Sequence, residues 1–390
     1  MIYKVLSNLV GEGVSKAIPL LVTMAYVKIL NNSDFINYVN ILIVSEISFL
    51  LISNNISAQI KNSYAEANDQ TVYLIRGRTF RTLLINSLLG FLVAFVMIFF
   101  VDFYYIMLIP IYVLLKSTYI MIQTYYQMQK ESNKYIINNL LFFVLFLTVF
   151  YITIGFGGHS WLISYIISFL VLILFNRKSF KKFSFKRDRF YKYTSALFIG
   201  LVYMPQAISW LAKTSIERYL VQFLFDESFV KVFILTVQLS SLIVSFGMAL
   251  NMYYAPLLVQ ELKSGNSRFK EVLTNSFLIL LFTACSVYYF LTFITDKIDF
   301  LLINKELLAI ALFSAMLHAQ LLILMNFNYF RFEHSFCNKA VTYSIITGLF
   351  AMSFFGVFVD QKLMIYMIPL STLLLLFSII FKELYNEKRY

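Results

Sequence analysis

Long apolar runs separated by short polar segments repeat along the whole chain. Each run is 17 to 27 residues long, close to the ~20 residues that an α-helix needs to cross a bilayer. The pattern predicts twelve membrane-spanning helices, over residues 5–30, 35–59, 82–102, 104–125, 135–154, 160–176, 193–215, 230–256, 273–294, 305–326, 339–359 and 362–381. The twelve spans use nearly the full length, so no stretch remains for a soluble catalytic domain.

A basic segment, residues 177–192, separates the first six spans from the last six. We therefore predict an N-terminal six-helix lobe over residues 1–176, a cytoplasmic linker over 177–192, and a C-terminal six-helix lobe over 193–390. A faint internal similarity supports two related halves, because residues 30–44 and 224–238 both contain a short acidic turn, a Phe and an apolar run. Halves with six spans each would share one orientation in the membrane.

Charge fixes the predicted orientation. Only 13% of the 390 residues are charged, against about 25% in soluble proteins. The net charge of +12 would suggest nucleic acid in a soluble protein, but here the cations follow alternate connections. With the N-terminus inside, 23 of the 32 Lys and Arg residues fall on the inner side and five on the outer side. The positive-inside rule then predicts that both termini are cytoplasmic, and no nucleic-acid partner is expected.

Charged residues within the spans are candidates for function, because an ionisable group in hydrocarbon is costly. Glu12 and Lys16 are four residues apart and share one helical face, either as a neutralising pair or as a polar wall of a hydrated cavity. Glu46 and Lys116 lie near the middle of the second and fourth spans, and neither has an opposite charge three or four residues away. A carboxylate in a span can couple transport to a proton and a Lys can hold an anion, whereas pairing across helices is the structural alternative.

Four further cations group by topology at the outer ends of the first, seventh and eighth spans: Lys28, Lys213, Arg218 and Lys231. They are candidates for ligand binding, and snorkelling of their charged ends to the membrane interface is the simpler alternative. Lys213 and Glu217 are four residues apart, so an ion pair along one helix face is a further possibility.

Signatures of enzyme chemistry are missing from the sequence. It contains no glycine-rich phosphate loop and no His, Cys and Glu cluster with metal-ligand spacing. The two cysteines, Cys285 and Cys337, indicate neither a disulfide framework nor a metal site. We therefore predict a protein that is not an enzyme and that has no cofactor and no metal. Trp161 and Trp210 lie near span ends, where aromatic residues anchor helices at the interface.

The chain resembles a known family over essentially its full length, in its twelve spans, its two six-helix halves, its basic central segment and its compact outer turns, and two stretches are the most similar. YTSALFIGLVYMPQAISWLAKTSIERYLVQFLF (193–225) and FVKVFILTVQLSSLIVSFGMALNMYYAPLL (229–258) resemble the seventh span, charged turn and eighth span of Wzx-type flippases for O-antigen or capsular repeat units. These flippases belong to the multidrug/oligosaccharidyl-lipid/polysaccharide (MOP) exporter superfamily. The family often has an Asp in the turn, where SIERYL (215–220) has Glu217 and Arg218. The resemblance implies an all-α polytopic membrane protein with two six-helix halves in a V-shaped, MATE-like bundle.

The resemblance also implies a function. The substrate would be an undecaprenyl-diphosphate-linked oligosaccharide used in lipopolysaccharide or capsule biosynthesis, moved across the bacterial inner membrane by alternating access. The other implied partners are membrane lipids, a polysaccharide polymerase and a chain-length regulator. The cavity would be walled by spans one, two, seven and eight, which carry most of the charged candidates. The substrate-binding candidates are Lys16, Lys28, Lys116, Lys213, Arg218 and Lys231, and the ion-coupling candidates are Glu12 and Glu46.

Two other functions fit the same pattern of spans. A cation-coupled antiporter of small molecules or drugs, from the same superfamily, differs from a flippase only in its substrate. A polysaccharide polymerase has similar size and hydrophobicity, but usually carries a large outer loop. The longest outer connection predicted here is about fifteen residues, so we rank flippase first, antiporter second and polymerase third.

Overall fold

A computed structural model describes residues 17–53, 56, 69–97, 104–128, 131–177, 193, 194, 197, 204–264, 269–295, 304–330 and 334–387. Nearly all of these residues are helical, and no strand occurs among them. In this part of the chain, nine segments are long and apolar enough to cross a membrane, and one of them, Asn133–Phe175, is 43 residues long and contains two predicted spans. The chain is therefore an all-α, multi-pass membrane protein, as the apolar pattern predicts.

The helices coincide with the predicted spans, and each predicted span overlaps a described helix. In chain order they are α1 (Ala17–Ile29), α2 (Asn32–Ser53), α3 (Asp69–Met97), α4 (Leu108–Met128), α5 (Ser132–Thr153), α6 (Ser160–Phe175), α7 (Met204–Leu224), α8 (Glu227–Ser264), α9 (Phe269–Thr295), α10 (Lys305–Phe330), α11 (His334–Phe354), α12 (Gln361–Tyr366) and α13 (Leu370–Glu387). Short 3₁₀ turns, Tyr104–Met107 and Ile154–His159, precede α4 and α6, and a π-helical turn, Phe355–Val359, follows α11.

The prolines differ in their position relative to the helices. Pro110 falls in the first turn of α4, where Pro is well tolerated. Pro256 lies in the interior of α8, where neighbouring helices of a membrane bundle can satisfy the backbone groups that it frees. Pro369 lies in the turn between α12 and α13, and its carbonyl accepts a hydrogen bond from the Leu373 N–H at 2.9 Å. The predicted twelfth span is consequently two helices rather than one.

The chain divides into two compact units. The central unit is Asp34–Leu211, and the terminal unit combines Met1–Ser33 with Ala212–Tyr390. In this grouping α1 lies with the C-terminal helices, and the division into an N-terminal and a C-terminal six-helix lobe stays a prediction. The carbonyl of Leu30, at the end of α1, accepts a hydrogen bond from Lys231 of α8 at 2.9 Å, which accounts for part of this association. The predicted linker, residues 177–192, lies outside the described residues.

In the central unit, α4 packs against α3, α5 and α6. A buried aromatic cluster fills the space between α4, α5 and α6. Phe142 of α5 stacks on Phe169 of α6 with ring centroids 4.8 Å apart, and Tyr119 of α4 lies 5.2 Å from the same Phe169 ring. Stacked and edge-on aromatic contacts of this kind add to the packing of apolar surface, so α4 is held firmly at the middle of its unit.

In the terminal unit, α10 packs against α8, α9, α11 and α13. The helices α8 and α10 cross closely, because a Cβ built at Gly247 would overlap the Ala319 side chain and lie 2.9 Å from its Cα. Gly348 of α11 meets Ser371 of α13 in the same way, with the Ser371 Cα 2.9 Å from the added Cβ. Small residues at crossings let membrane helices approach closely.

The seventh helix corrects one prediction. Residues 215–220 were predicted to form a charged turn, but they lie inside α7, and the turn is at Phe225 and Asp226. No Gly or Pro occurs between Pro205 and Asp226, so the helix continues through the charged residues. Asp226 accepts a hydrogen bond from the Ser228 hydroxyl and opens α8. Leu30 and Asn31 make the corresponding break between α1 and α2, so the two similar sequence segments share one helix–turn–helix form.

Candidate functional site

Lys116 occupies the middle of α4 and is half-buried in the central unit. Its Nζ donates a hydrogen bond to the Tyr112 hydroxyl at 3.0 Å and lies 4.2 Å from the ring centroid of Phe49 on α2. Among the described residues, the contacts of this ammonium are therefore a hydroxyl and aromatic rings rather than a carboxylate. Cation–π attraction stabilises such a charge by about 0.5–2 kcal/mol. An ammonium has three donors, so it keeps hydrogen-bonding capacity for an anionic group.

Glu46 lies on α2, three residues before Phe49, and is also half-buried. Residues three apart lie on the same side of a helix, so Glu46 is on the side of α2 that carries the ring beneath Lys116. Tyr165 of α6 lies edge-on to Tyr112, with ring centroids 5.6 Å apart. The structure thus brings two predicted site residues, Glu46 and Lys116, into one polar and aromatic region of the central unit.

A stripe of polar residues continues from Lys116 along the same face of α4. Its members are spaced alternately four and three residues apart, which keeps them on one face of a helix: Tyr112, Lys116, Tyr119, Gln123 and Tyr126. All except Lys116 are buried. The α4 polar stripe was not predicted from the sequence, although its regular spacing is visible there, because all of the predicted site residues are charged and four of the five members of the stripe are Tyr or Gln.

The α4 polar stripe is hydrogen-bonded to the neighbouring helices. The Tyr119 hydroxyl donates to Asn139 Oδ1 of α5 at 2.9 Å. Two turns further along α4, the Tyr126 hydroxyl donates to Asn176 Oδ1 at 2.9 Å, and Asn176 Nδ2 donates to Asn138 Oδ1 at 3.1 Å. Hydrogen bonds between membrane helices are worth about 0.6 kcal/mol on average, so together they fix the rotation of α4 and hence the position of Lys116.

Trp161 corrects a second prediction. It was expected at the membrane interface, but it is 1% exposed and lies edge-on to Tyr112, with ring centroids 5.8 Å apart. Tyr38 is also edge-on to the indole, with ring centroids 6.1 Å apart. Trp161 comes at the start of α6, directly after the turn Ile154–His159, and that turn directs it into the unit rather than towards lipid. It supports the ring of Tyr112, which holds Lys116.

Lys231 has a structural role at the end of α1. Its Nζ donates to the Leu30 carbonyl, where a cation satisfies a terminal carbonyl and interacts favourably with the negative end of the helix dipole. Lys28, on the last turn of α1, is exposed. The predicted grouping of outer cations is thus found for the ends of α1 and α8, and the Lys231 contact favours a structural function over ligand binding.

The remaining candidates are placed as follows. Glu217 and Arg218 lie within α7 and are only 7% and 9% exposed. Lys213 is on the same helix, but its side chain lies outside the described part of the structure. Glu12 and Lys16 also fall outside the described residues. No group of His, Cys, Asp or Glu residues with metal-binding geometry occurs within the described ranges, and Cys285 and Cys337 are free thiols.

Solved structures of transporters have the same fold over nearly the whole chain. The eukaryotic MATE transporter AtDTX14 matches with a TM-score of 0.66 and 13% identity, covering 98% of this chain and 95% of that one. A MATE in the bent conformation matches with a TM-score of 0.68 and 13% identity, covering 100% and 94%. An inward-facing multidrug resistance MATE family transporter of the MOP superfamily gives 0.65 and 12%, covering 99% and 94%.

These matches confirm the predicted MATE-like fold. No protein-family profile matches the sequence, and no curated protein matches it either. The structural neighbours named above are transporters rather than enzymes. At 12–13% identity the likeness concerns the fold, so substrate and mechanism have to be argued from the residues of this chain.

Proposed function

We propose that this protein is a flippase that moves undecaprenyl-diphosphate-linked oligosaccharide repeat units across the bacterial inner membrane by alternating access. The repeat units would serve O-antigen or capsule assembly. A sugar headgroup cannot cross about 30 Å of hydrocarbon unless its polar groups meet water or protein, since burying each unpaired group costs several kcal/mol. The MATE-like fold supports an exporter, and the side chains within the spans supply the polar path.

Lys116 is the observation that carries the proposal. Its ammonium is half-buried in the middle of a membrane helix and is held on Phe49 and Tyr112. Rings hold a cation without neutralising it, so the charge remains available to a diphosphate. In this proposal Lys116 binds the diphosphate, and Glu46 couples transport to a proton or cation gradient. The lipid tail can stay in the bilayer throughout.

The test uses a strain from which the gene is deleted. We expect lipid-linked repeat units to accumulate on the inner leaflet and surface polymer to be lost, and a plasmid copy of the gene to restore both. Lys116→Met should fail to restore polymer and lower flipping at least tenfold. Lys339→Met is the matched control, because Lys339 is an exposed cation at the start of α11, and it should complement fully. Normal flipping by Lys116→Met at normal expression would refute the assignment.

A cation-coupled antiporter is the second candidate. It is favoured by Glu46, a half-buried carboxylate on a membrane helix, and by the similarity to a multidrug resistance MATE transporter. The same deletion strain separates the two functions. Normal surface polymer together with increased sensitivity to cationic dyes, reversed by the wild-type gene but not by Glu46→Gln, would establish the antiporter and exclude the flippase.

A further inference from the structure

The terminal unit contains an open cavity of about 520 Å³ that the proposed transport step does not use. Ligand pockets usually measure about 300–1,000 Å³. The cavity is formed by the beginnings of three helices, α8, α10 and α12. Between one of the connections that precede these helices and the next, the chain crosses the membrane twice. All three connections therefore lie on the same side of the membrane. The charge distribution predicts that this side is the outer one.

Aromatic rings and apolar side chains line one part of the cavity. The Phe225 and Phe229 rings are stacked with centroids 4.3 Å apart and an interplanar angle of 18°. Tyr366 contributes a partly exposed ring, with buried Leu307 and Ile365 beside it. Flat ring faces of this kind accept the polarised C–H bonds of a sugar, through the negative face of the π-system.

Polar groups line the other part and are held by the helices they cap. Asn304 Oδ1 accepts hydrogen bonds from the backbone N–H groups of Glu306 and Leu307 at 3.0 and 3.1 Å. Asp360 Oδ1 accepts one from the Lys362 N–H at 2.8 Å. Each cap uses one oxygen, so the Asn304 amide group and Asp360 Oδ2 retain capacity for a ligand. This polar part of the cavity, which we call the rim, thus presents both hydrogen-bond donors and hydrogen-bond acceptors in fixed positions.

The charges favour a neutral ligand. Glu306 and Asp360 provide two carboxylates and Lys362 one ammonium, which disfavours a diphosphate or an anionic lipid headgroup. The long helices α8 and α10 begin at the cavity, and their N-terminal N–H groups add positive potential. That potential, together with Lys362, offsets the carboxylates and disfavours an organic cation. A neutral molecule with many hydroxyl groups can hydrogen-bond to the rim and stack on the aromatic rings.

The π-helical turn Phe355–Val359 fixes the position of Asp360. A Cβ added at Gly356 would lie 2.9 Å from Leu224 Cδ1 and 3.1 Å from Met364 Sδ, so the turn is tightly packed against the end of α7 and against α12. The Asp360 N–H donates to the Phe355 carbonyl at 2.8 Å. The π-helical turns found inside proteins are frequently located at functional sites, and this one holds the acidic rim in place.

We propose that this cavity is an outer-face subsite for neutral sugar residues, which receives the oligosaccharide as it leaves the transport path. The subsite deepens the proposed flippase function and rests on it for the identity of the natural ligand. The sugar would stack on Tyr366 and the Phe225–Phe229 pair and would hydrogen-bond to Asn304, Glu306 and Asp360. The two carboxylates of the cavity, Glu306 and Asp360, would repel the diphosphate, which would therefore stay outside.

The experiment measures binding without transport. The full chain is reconstituted in lipid nanodiscs and mixed with soluble oligosaccharide released by mild acid from the surface polysaccharide of the source strain. Saturation-transfer NMR should detect binding by the wild-type chain and at least fivefold weaker signals with Tyr366→Leu and with Glu306→Gln. Tyr343→Leu is the matched control, because Tyr343 is an exposed tyrosine of α11 that does not line the cavity, and it should bind as the wild type does.

Two outcomes would overturn the subsite. One is the absence of oligosaccharide binding to the wild-type chain, or binding that Tyr366→Leu leaves unchanged. The other is binding of tetraphenylphosphonium that Glu306→Gln abolishes and that excess oligosaccharide does not displace, which would assign the cavity to organic cations.

Lys116→Met should retain oligosaccharide binding while losing flipping. A chain that binds sugar in the cavity but whose deletion leaves surface polymer normal would refute the flippase proposal alone.

Discussion

At the scale of single residues, Lys116 has an energetic cost that its local contacts only partly offset. Insertion scales put a Lys at a helix centre at about 2.5–3.5 kcal/mol, and the aromatic contacts return about 0.5–2 kcal/mol. Lys116→Met keeps the length of the side chain and removes the charge. We therefore expect the variant to be more stable by about 1–2 kcal/mol, with a higher midpoint of thermal unfolding in detergent, although it should not flip substrate.

This combination distinguishes a functional charge from a structural one. Replacing a residue that is needed for stability lowers the midpoint of thermal unfolding. Replacing a residue that is needed only for function raises this midpoint or leaves it unchanged. Tyr112→Phe is the control, because it removes the hydroxyl that contacts the ammonium but keeps both the ring and the charge. Its midpoint should not exceed that of the wild type. A midpoint several degrees lower for Lys116→Met would assign Lys116 to the fold.

The sequence identified the charged residues of the central unit but not their surroundings. Glu46 and Lys116 stand out because a charge in an apolar run is rare, and Tyr112 is one turn from Lys116 on the same helix. Phe49 could not be predicted, since the contact depends on the rotation of α2 relative to α4. That rotation is set by polar side chains such as Asn139 and Asn176 and by aromatic packing, and none of these is visible in a pattern of hydropathy.

At the scale of helices, the location of each helix along the chain could be predicted from the sequence, but the residues and the backbone geometry at which it ends could not. Each apolar run became a helix because hydrocarbon leaves backbone groups no other way to be satisfied. The helix α7 extends further than its predicted end. Two charged residues, Glu217 and Arg218, indicate a turn in a pattern of hydropathy, whereas a helix bundle can bury them within a helix. The π-helical turn at Phe355–Val359 and the break at Pro369 depend on local backbone geometry, which hydropathy does not describe.

The crossing of α8 and α10 depends on the absence of a side chain at Gly247. Gly247→Leu should force the two helices apart at Ala319, since cores tolerate added volume poorly and overpacking costs about 1–3 kcal/mol or more. We expect a markedly lower unfolding midpoint and reduced expression. Gly155→Ala is the control, because no atom lies within 4 Å of a Cβ at Gly155. Equal stability of Gly247→Leu and the wild type would contradict the observed crossing.

The junction of α4, α5 and α6 depends on Asn176, which is buried. Asn176→Leu would remove the acceptor of the Tyr126 hydroxyl and the partner of Asn138. Leaving buried polar groups unpaired costs about 1–3 kcal/mol, so the unfolding midpoint should fall. Thr148→Val is the control, since Thr148 is exposed and bonds only to the Val144 carbonyl of its own helix. Similar losses in both variants would mean that the network adds nothing to stability.

At the scale of the whole molecule, the distribution of cations predicts which side faces the cytoplasm. In the terminal unit, Lys339 near the start of α11 and Lys382 near the end of α13 lie towards one end of their helices. The Lys382 Nζ lies 4.1 Å from the ring centroid of Phe336, so these two ends meet. The sugar cavity lies at the other end, beyond α11 and its π-helical turn. The rule that Lys and Arg accumulate inside therefore predicts that the cavity is on the outer side.

Two positions, one in the second turn of α11 and one just after its π-helical turn, provide the test of this orientation. Lys339 and Gln361 are both exposed, and the ~20 residues between them span about 30 Å at 1.5 Å per residue, which is the thickness of the hydrocarbon core. After Cys285 and Cys337 are replaced by Ala, Gln361→Cys should react with a membrane-impermeant maleimide in intact spheroplasts. Lys339→Cys should react only after lysis. The opposite pattern would put the cavity on the cytoplasmic face, where it could serve only in loading the sugar and not in its release.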